Sequence, residues 1–280
     1  MYPDLLLATL TYPDATPDRA IRNGVALASG LGGALRLLAL EVDIPEVKSS
    51  IGQALFRFER LAAQEERRSA LIARRAVQCA EVAAEEAGVV LQSITITAAP
   101  HLEGDVIAGL ARTHDLCLMP IGPSVLADRG LAEAVLFDSG RPVLVYPNAP
   151  ELTSGAGFGT VVLAWDGSSR AARAIAEAMP IVKQASNVRI YVALGEKPSA
   201  RAGIAGDLVR HLQAHGVRAA VDEHSVDRPI GEALCAYVRS VQADMLVMGG
   251  FARPRLQELV LGGATNAILE SPPCPVFLSH

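Results

Sequence analysis

The chain has 280 residues, 50% of them hydrophobic and 20% charged, with a mean hydropathy of +0.29. That composition excludes an intrinsically disordered chain, which needs low hydropathy and high net charge. A net charge of −5 and 4% aromatics exclude a broad nucleic-acid surface, which calls for a basic footprint and stacking rings.

Short runs of Val, Ile and Leu bounded by Gly, Pro or Asp predict buried strands near 4–10, 34–41, 89–97, 115–121 and 142–147. The longest apolar runs, 5–10 and 35–40, are strand-sized, whereas a membrane helix needs about 20 such residues. Pro3 and Asp4 follow Met1 with no basic stretch, so no secretory leader is expected. Cys79, Cys117, Cys235 and Cys274 form no CxxC pair. Cys79 and Cys117 lie in apolar runs and read as core thiols, which suits a reducing compartment. The expectation is a soluble cytoplasmic protein without a membrane or nucleic-acid partner.

After residue 159 the order of elements returns, with strands near 160–165, 188–194, 217–224, 244–249 and 275–279. Gly104-Asp105 before one strand is mirrored by Gly231-Glu232 before another, and each half closes on a Pro-led apolar run. Strands separated by helix-length segments predict an α/β fold of two tandem, doubly wound, parallel five-stranded sheets. The expected domains are 1–148 and 160–280, joined by a Gly- and Pro-rich linker at 149–159.

The halves differ in informative ways. Leu7 to Asp115 spans 108 positions and Leu163 to Asp244 only 81, so the first half carries 27 extra residues. They fall in a helical segment at 45–88, where Ile51, Leu55, Phe58 and Ala62 recur at helical spacing. Its Gln64-Glu-Glu-Arg-Arg run reads as a solvated face with local ion pairs; a partner-binding or lid helix is the sharper alternative. Residues 1–150 hold 13 Lys and Arg against 18 Asp and Glu, whereas the remainder holds 12 of each. The second half is therefore the less repulsive host for an anion.

The strongest local signal is Met248-Gly-Gly-Phe-Ala-Arg, followed by Leu261-Gly-Gly-Ala-Thr opening a helix. Glycines let backbone amides approach a phosphate, and a helix N-terminus adds partial positive charge. Gly249, Gly250, Gly262, Gly263, Ala264 and Thr265 are the candidate cradle, and Arg253 and Arg255 are placed to reach phosphate oxygens. The same glycines also fit tight turns. Asp166, Gly167 and Ser168 end the first strand of this half. Ser168 or Ser169 caps the next helix, and Asp166 either meets a base or ribose or makes a plain Asp-Gly turn. There is no Walker-type loop, no nucleophile elbow and no catalytic constellation. His211 and His215 stand at i, i+4 without an evident third ligand, so they read as surface residues and no metal site is expected. Cys235 and Cys274 read as packing residues.

The Asp166-Gly-Ser turn, the glycine loop, the closing Pro-Cys-Pro-Val run and the order of elements together resemble the universal stress protein family. The resemblance covers nearly the whole chain, as two tandem copies. It implies strand order 3-2-1-4-5 and an adenine nucleotide near the first two strands, which adds Val192 on the second strand to the site. ATP, or ADP or AMP, is the implied ligand, with Mg²⁺ accompanying it. ATP-binding relatives carry Gly-x2-Gly-x9-Gly-Ser/Thr. Gly249 and Gly262 match it, whereas Ala252 and Gly263 depart from it. In the first half Leu10 takes the place of Asp166, and Pro120 and Pro123 remove amide donors, so no site of the same type is expected there. The resemblance further implies that Val143–Tyr146 and Val276–Ser279 join the halves as an intrachain pseudo-dimer, and it leaves a homodimer open. A regulatory binding protein with at most slow ATP hydrolysis is the leading reading. A non-binding interaction module and an adenine-nucleotide α-hydrolase type enzyme are the alternatives.

Overall fold

The structure, a computed structural model, describes residues 2–45, 52–122, 126–149, 152, 157–195, 201–250, 252–255, 258–261 and 263–280, with the backbone alone for 52–57, 126–127 and the two strands within 252–261. The first half runs β1 (Asp4–Thr9), α1 (Asp18–Leu31), β2 (Ala34–Val42), α2 (Gly52–Ala87), β3 (Leu91–Ala98), α3 (Glu103–Ala111), β4 (Leu116–Ile121), α4 (Leu126–Asp138) and β5 (Val143–Pro147). The second runs β6 (Thr160–Ala164), α5 (Ser169–Val182), β7 (Asn187–Leu194), α6 (Gly206–Ala214), β8 (Ala219–Ser225), α7 (Ile230–Ser240), β9 (Met245–Gly249), β10 (Ala252–Arg255), β11 (Glu258–Leu261), α8 (Gly263–Glu270) and β12 (Val276–Ser279).

The strand order is β3-β2-β1-β4-β5-β12-β9-β6-β7-β8, so the expected five-stranded arrangements are two halves of one ten-stranded sheet. Each half has the order 3-2-1-4-5 and is parallel within itself. Central strands are apolar throughout because helices cover both faces, and β4 is buried along its whole length. The outer strands β3 and β8 are largely exposed and carry polar residues.

At the centre, β5 and β12 pair antiparallel, with Phe277 opposite Leu144 and Val276 opposite Val145. All four side chains are fully buried. Tyr2 stacks near Phe277, with ring centroids 6.2 Å apart, and donates its hydroxyl to the carbonyl of Glu177 in α5. One apolar layer therefore continues from α1 and α2 across the joint to α5 and α6. The antiparallel joint also points the carboxyl ends of the two sets of strands in opposite directions.

Local chemistry sets the helix ends. Gly32, at φ +71°, closes α1 in the left-handed conformation that a side chain would resist. Ser168 caps α5 by accepting the amide of Ala171 at 3.2 Å. α2 is longer than its extra residues alone require. It lies against the sheet through a seam of small residues, Ser69, Ala73, Ala76, Ala80 and Ala83.

Three expectations need refinement. Cys79 is half-buried rather than a core thiol, because it faces the open side of α2 beside Asp18. The glycine loop after β9 contains an antiparallel hairpin, β10–β11. Of the linker, only 149, 152 and 157–159 are described, and there Leu152 donates its amide to Oδ1 of Asn23 at 2.9 Å.

Phe277→Ala removes a fully buried ring at the joint. Its expected cost is about 3–5 kcal/mol in chemical denaturation. Because the apolar layer is continuous, both halves are expected to melt earlier together.

Candidate functional site

The carboxyl end of β6 leads directly into the candidate site. Trp165 donates its backbone amide to Tyr191 of β7, and its indole donates to the carbonyl of Ile204. Gly167 follows at φ +74°, where a Cβ would also stand 2.7 Å from Ile204 Cδ1, so this turn requires glycine. Asp166 Oδ1 accepts the amide of Ser168 at 3.0 Å. The carboxylate thus performs the turn chemistry that an Asp-Gly-Ser sequence favours.

Gly249 ends β9 tight against the first turn of α5. A Cβ there would lie 2.7 Å from the Ala171 amide nitrogen and from the Arg170 carbonyl carbon. Gly250 is equally confined, by a residue of the other half: its Cβ would lie 2.6 Å from Leu136 Cδ2 in α4. Its amide donates to the carbonyl of Ser279 at 2.7 Å. The expectation that this amide reaches a phosphate is therefore corrected, since sheet pairing already uses it. Val192 offers its main chain to this crevice. Its side chain is fully buried in the core, so only its backbone faces the strand ends.

Arg253 and Arg255 lie on β10, opposite Val260 and Glu258 of β11. Gly262 lies outside the described residues. Gly263 opens α8, with Ile230 Cγ2 3.8 Å from where its Cβ would stand, which is ordinary contact distance. Ala264 and Thr265 continue the first turn, and Thr265 is buried. The first amides of a helix have no partner within it, so this turn is the part of the expected cradle suited to an anion. Sequence reasoning missed the residue that sets it in place. Gly231 in α7 would, with a Cβ, meet the Gly263 carbonyl at 2.9 Å and Ala267 Cβ at 2.4 Å. Its glycine lets α7 and α8 cross closely.

The matching place in the first half is built differently. Gly104 meets Ala134 of α4 as Gly231 meets Ala267 of α8. By that register Gly130 corresponds to Gly263 and Glu103 to Ile230. α4 therefore starts four residues earlier than α8 and fills the cradle with an extra turn. Asp128 Oδ2 accepts the amide of Gly122 at 2.9 Å, so a carboxylate of α4 occupies a donor of the loop after β4. Leu10, in the place of Asp166, is buried, and its amide bonds Thr16 Oγ1 at 2.9 Å.

Glu103 is 6% exposed, and burial pushes its carboxyl up to about 7. The signal was its place just before Gly104-Asp105, the repeat partner of Ile230-Gly-Glu. Burial also raises Asp128, opposed by the Gly122 amide and reinforced by Asp14.

Elsewhere, Arg189 forks onto Asp222 at 2.8 and 2.9 Å, Tyr237 donates to the same carboxylate, and Tyr191 stacks on His224. This cluster ties β7 and β8 to α7, and nothing in the sequence spacing announced it. His211 and His215 are exposed with rings 4.7 Å apart; no third ligand joins them among the described residues. His114 is buried and bonds the Leu110 carbonyl at 2.8 Å. Among the described residues no helix is long and apolar enough to cross a membrane.

Comparison with known proteins bears on the same elements. Residues 157–280 match the universal stress protein family model, from just before β6 to the last residue of β12 and beyond. Residues 157–280 are thus similar to a universal stress protein domain. A universal stress protein of Archaeoglobus fulgidus DSM 4304 superposes with a TM-score of 0.67 at 17% identity, covering 98% of this chain and 97% of its own. A Pseudomonas aeruginosa UCBPP-PA14 protein described as a universal stress protein gives 0.57 at 14% identity, covering 99% and 93%. The universal stress protein fold thus extends over the first half as well. No curated protein matches the chain.

Glu103→Gln tests the first-half carboxylate. The folded pKa, about 7, lies above the ordinary 4.5, so the folded state holds its proton more tightly. Stability attached to this group is complete below about pH 4.5 and is lost as pH rises towards 7. The variant is expected to match wild type at pH 4 and to exceed it above pH 7 by about 1–3 kcal/mol in urea unfolding.

Proposed function

We propose that this chain is a regulatory binding protein of the universal stress protein type that takes one adenine nucleotide, in the second half. The single observation that supports this is the contrast between α8 and α4. α8 begins at Gly263 with its first turn beside uncharged Ile230, whereas α4 begins a turn earlier and carries Asp128 in that turn, and buried Glu103 holds the position equivalent to Ile230. In the proposed complex the phosphates lie at Gly263, Ala264 and Thr265, and the stretch of chain before them supplies Arg253, Arg255 and Gly262 as further candidates. The base and ribose lie along the Asp166–Gly167–Ser168 turn and the end of β7. Mg²⁺ enters only with the nucleotide. The proposal is for binding and release, with hydrolysis slow because, among the described residues, no general base or paired metal carboxylates accompany this turn.

A second reading has its own support. The Gly250 amide and the Asp166 carboxylate oxygen are both engaged within the protein. A chain whose turn is kept only for packing would act as an interaction module.

Isothermal titration of the full chain with ATP, ADP and AMP, each with Mg²⁺, separates the two. One binding event per chain is expected for the first reading. Gly263→Asp introduces a negative charge at the α8 N-terminus where a Cβ has room, so the helix should persist while binding falls at least tenfold, about 1.4 kcal/mol. Asp14→Asn, in the first half, should leave affinity unchanged. Failure of wild-type protein to bind any of the three at millimolar concentration transfers the function to the interaction reading.

A further inference from the structure

Among the described residues no helix or strand covers the outward face of α2, which meets α1 only through the Arg75–Asp18 ion pair at its edge. Leu61, Gln64, Arg68, Leu71, Arg75, Gln78, Val82 and Glu85 are all exposed and follow one another at intervals of three and four. This is the a/d spacing of a coiled-coil seam. It lies on the outer side of the helix from the small-residue seam that packs on the sheet. Leu61, Leu71 and Val82 are 61%, 63% and 53% exposed, among the largest apolar exposures of the described residues. Open hollows of about 710 Å³ and 340 Å³ lie between α2 and α1, and they share Asp18 and Arg75. Leu71 lines the first hollow and Val82 the second.

We propose that this seam is a homodimer interface, in which α2 of one chain packs antiparallel on α2 of a second copy. The seam's own sequence selects the occupant. An antiparallel pair related by a two-fold axis must match each seam position with another at a constant sum of residue numbers, so that every contact occurs twice. Centring between Arg75 and Gln78 sets Leu71 against Val82, Arg68 against Glu85, and Arg75 against Gln78. Apolar meets apolar and plus meets minus. Shifting the centre one heptad step to lie between Leu71 and Arg75 sets Leu61 against Glu85 and Gln64 against Val82. A further step sets Leu61 against Gln78 and Arg68 against Leu71. Of these registers, one alone is complementary in both charge and apolarity.

The groups already near the seam agree with this register. Arg75 is paired with Asp18 at 2.7 Å, so opposite Gln78 of a second copy its charge is already balanced. Arg68 has an exposed contact with Glu65 at 3.5 Å, a pairing weak enough to yield to Glu85 of the other chain. From Arg68 to Glu85 the seam covers about 25 Å of helix at roughly 1.5 Å per residue. That is at the low end of interface sizes, so association should depend visibly on concentration.

The test is sedimentation velocity of the full chain from about 1 µM to 1 mM, without nucleotide. Wild type is expected to pass from monomer to dimer. Arg68→Glu and Glu85→Arg each bring like charges together twice in the dimer and should weaken it at least tenfold. The double variant, Arg68→Glu with Glu85→Arg, should recover wild-type association. Should either single variant lose helical circular dichroism, Leu71→Lys at its exposed position serves instead and should also favour monomer. The proposal is overturned by a wild-type monomer at every concentration. It is equally overturned by a dimer indifferent to these changes, or by a charge swap that fails to restore pairing.

Discussion

Everything else in the molecule depends on the antiparallel hydrogen-bonded contact between β5 and β12. Each would otherwise be an exposed, wholly apolar edge, the kind of surface that recruits another chain. Joined, they bury Leu144, Val145, Val276 and Phe277 completely and turn two sheets into one. Neither half keeps its own closing strand shielded without the other. Tyr2 reinforces this dependence, because a residue at the start of the first half bonds a carbonyl of α5 in the second.

The joint also governs the candidate site. Reversing the strand direction brings the end of α4 to the carboxyl end of β9, so Leu136 packs where a Cβ on Gly250 would stand. Phe137 meets the ring of His280 edge-on at 4.8 Å, and Arg173 donates to the His280 carbonyl. The floor of the second crevice is thus partly first-half material. Two of the glycines that read as phosphate contacts are explained by packing: Gly249 by the approach of α5 and Gly250 by α4. A glycine pair admits close backbone contact of any kind, and the sequence does not record whether the neighbour is a ligand or a helix.

Most of the architecture was legible because the relevant signals are local. Alternating apolar runs and turn residues located the ten main strands to within about two residues. The internal repeat placed the halves, and the Ser168 cap followed from residue type alone. The β10–β11 hairpin was not legible. Pro254 interrupts its first strand, and glycines stand at both ends, which reads as loop. Nor was Cys79 placed correctly, because Val77 and Ala80 near it in sequence read as core while its helix face turns towards Asp18 and Arg75. The carboxylates Glu103 and Asp128 gain meaning only when the two halves are overlaid in space. Their spacing in sequence carries no sign that both flank α4.

The two halves show how one fold can be turned towards or away from an anion with few changes. Both place a helix after the fourth strand, and both rest that helix on a glycine, Gly104 or Gly231, of the preceding one. In the second half the glycine is preceded by Ile230 and the helix starts late. In the first it is preceded by Glu103, the helix starts early, and Asp128 takes an amide of the loop. A buried carboxylate raised to about 7 has a cost in stability near neutrality. Core packing alone gives no reason to keep it, since Ile230 fills the equivalent place. The first half also carries the long outer helix α2, whose exposed seam has no counterpart in the shorter α6. On the two proposals made above, recognition of a small anion and recognition of a protein surface fall to different ends of the same sheet.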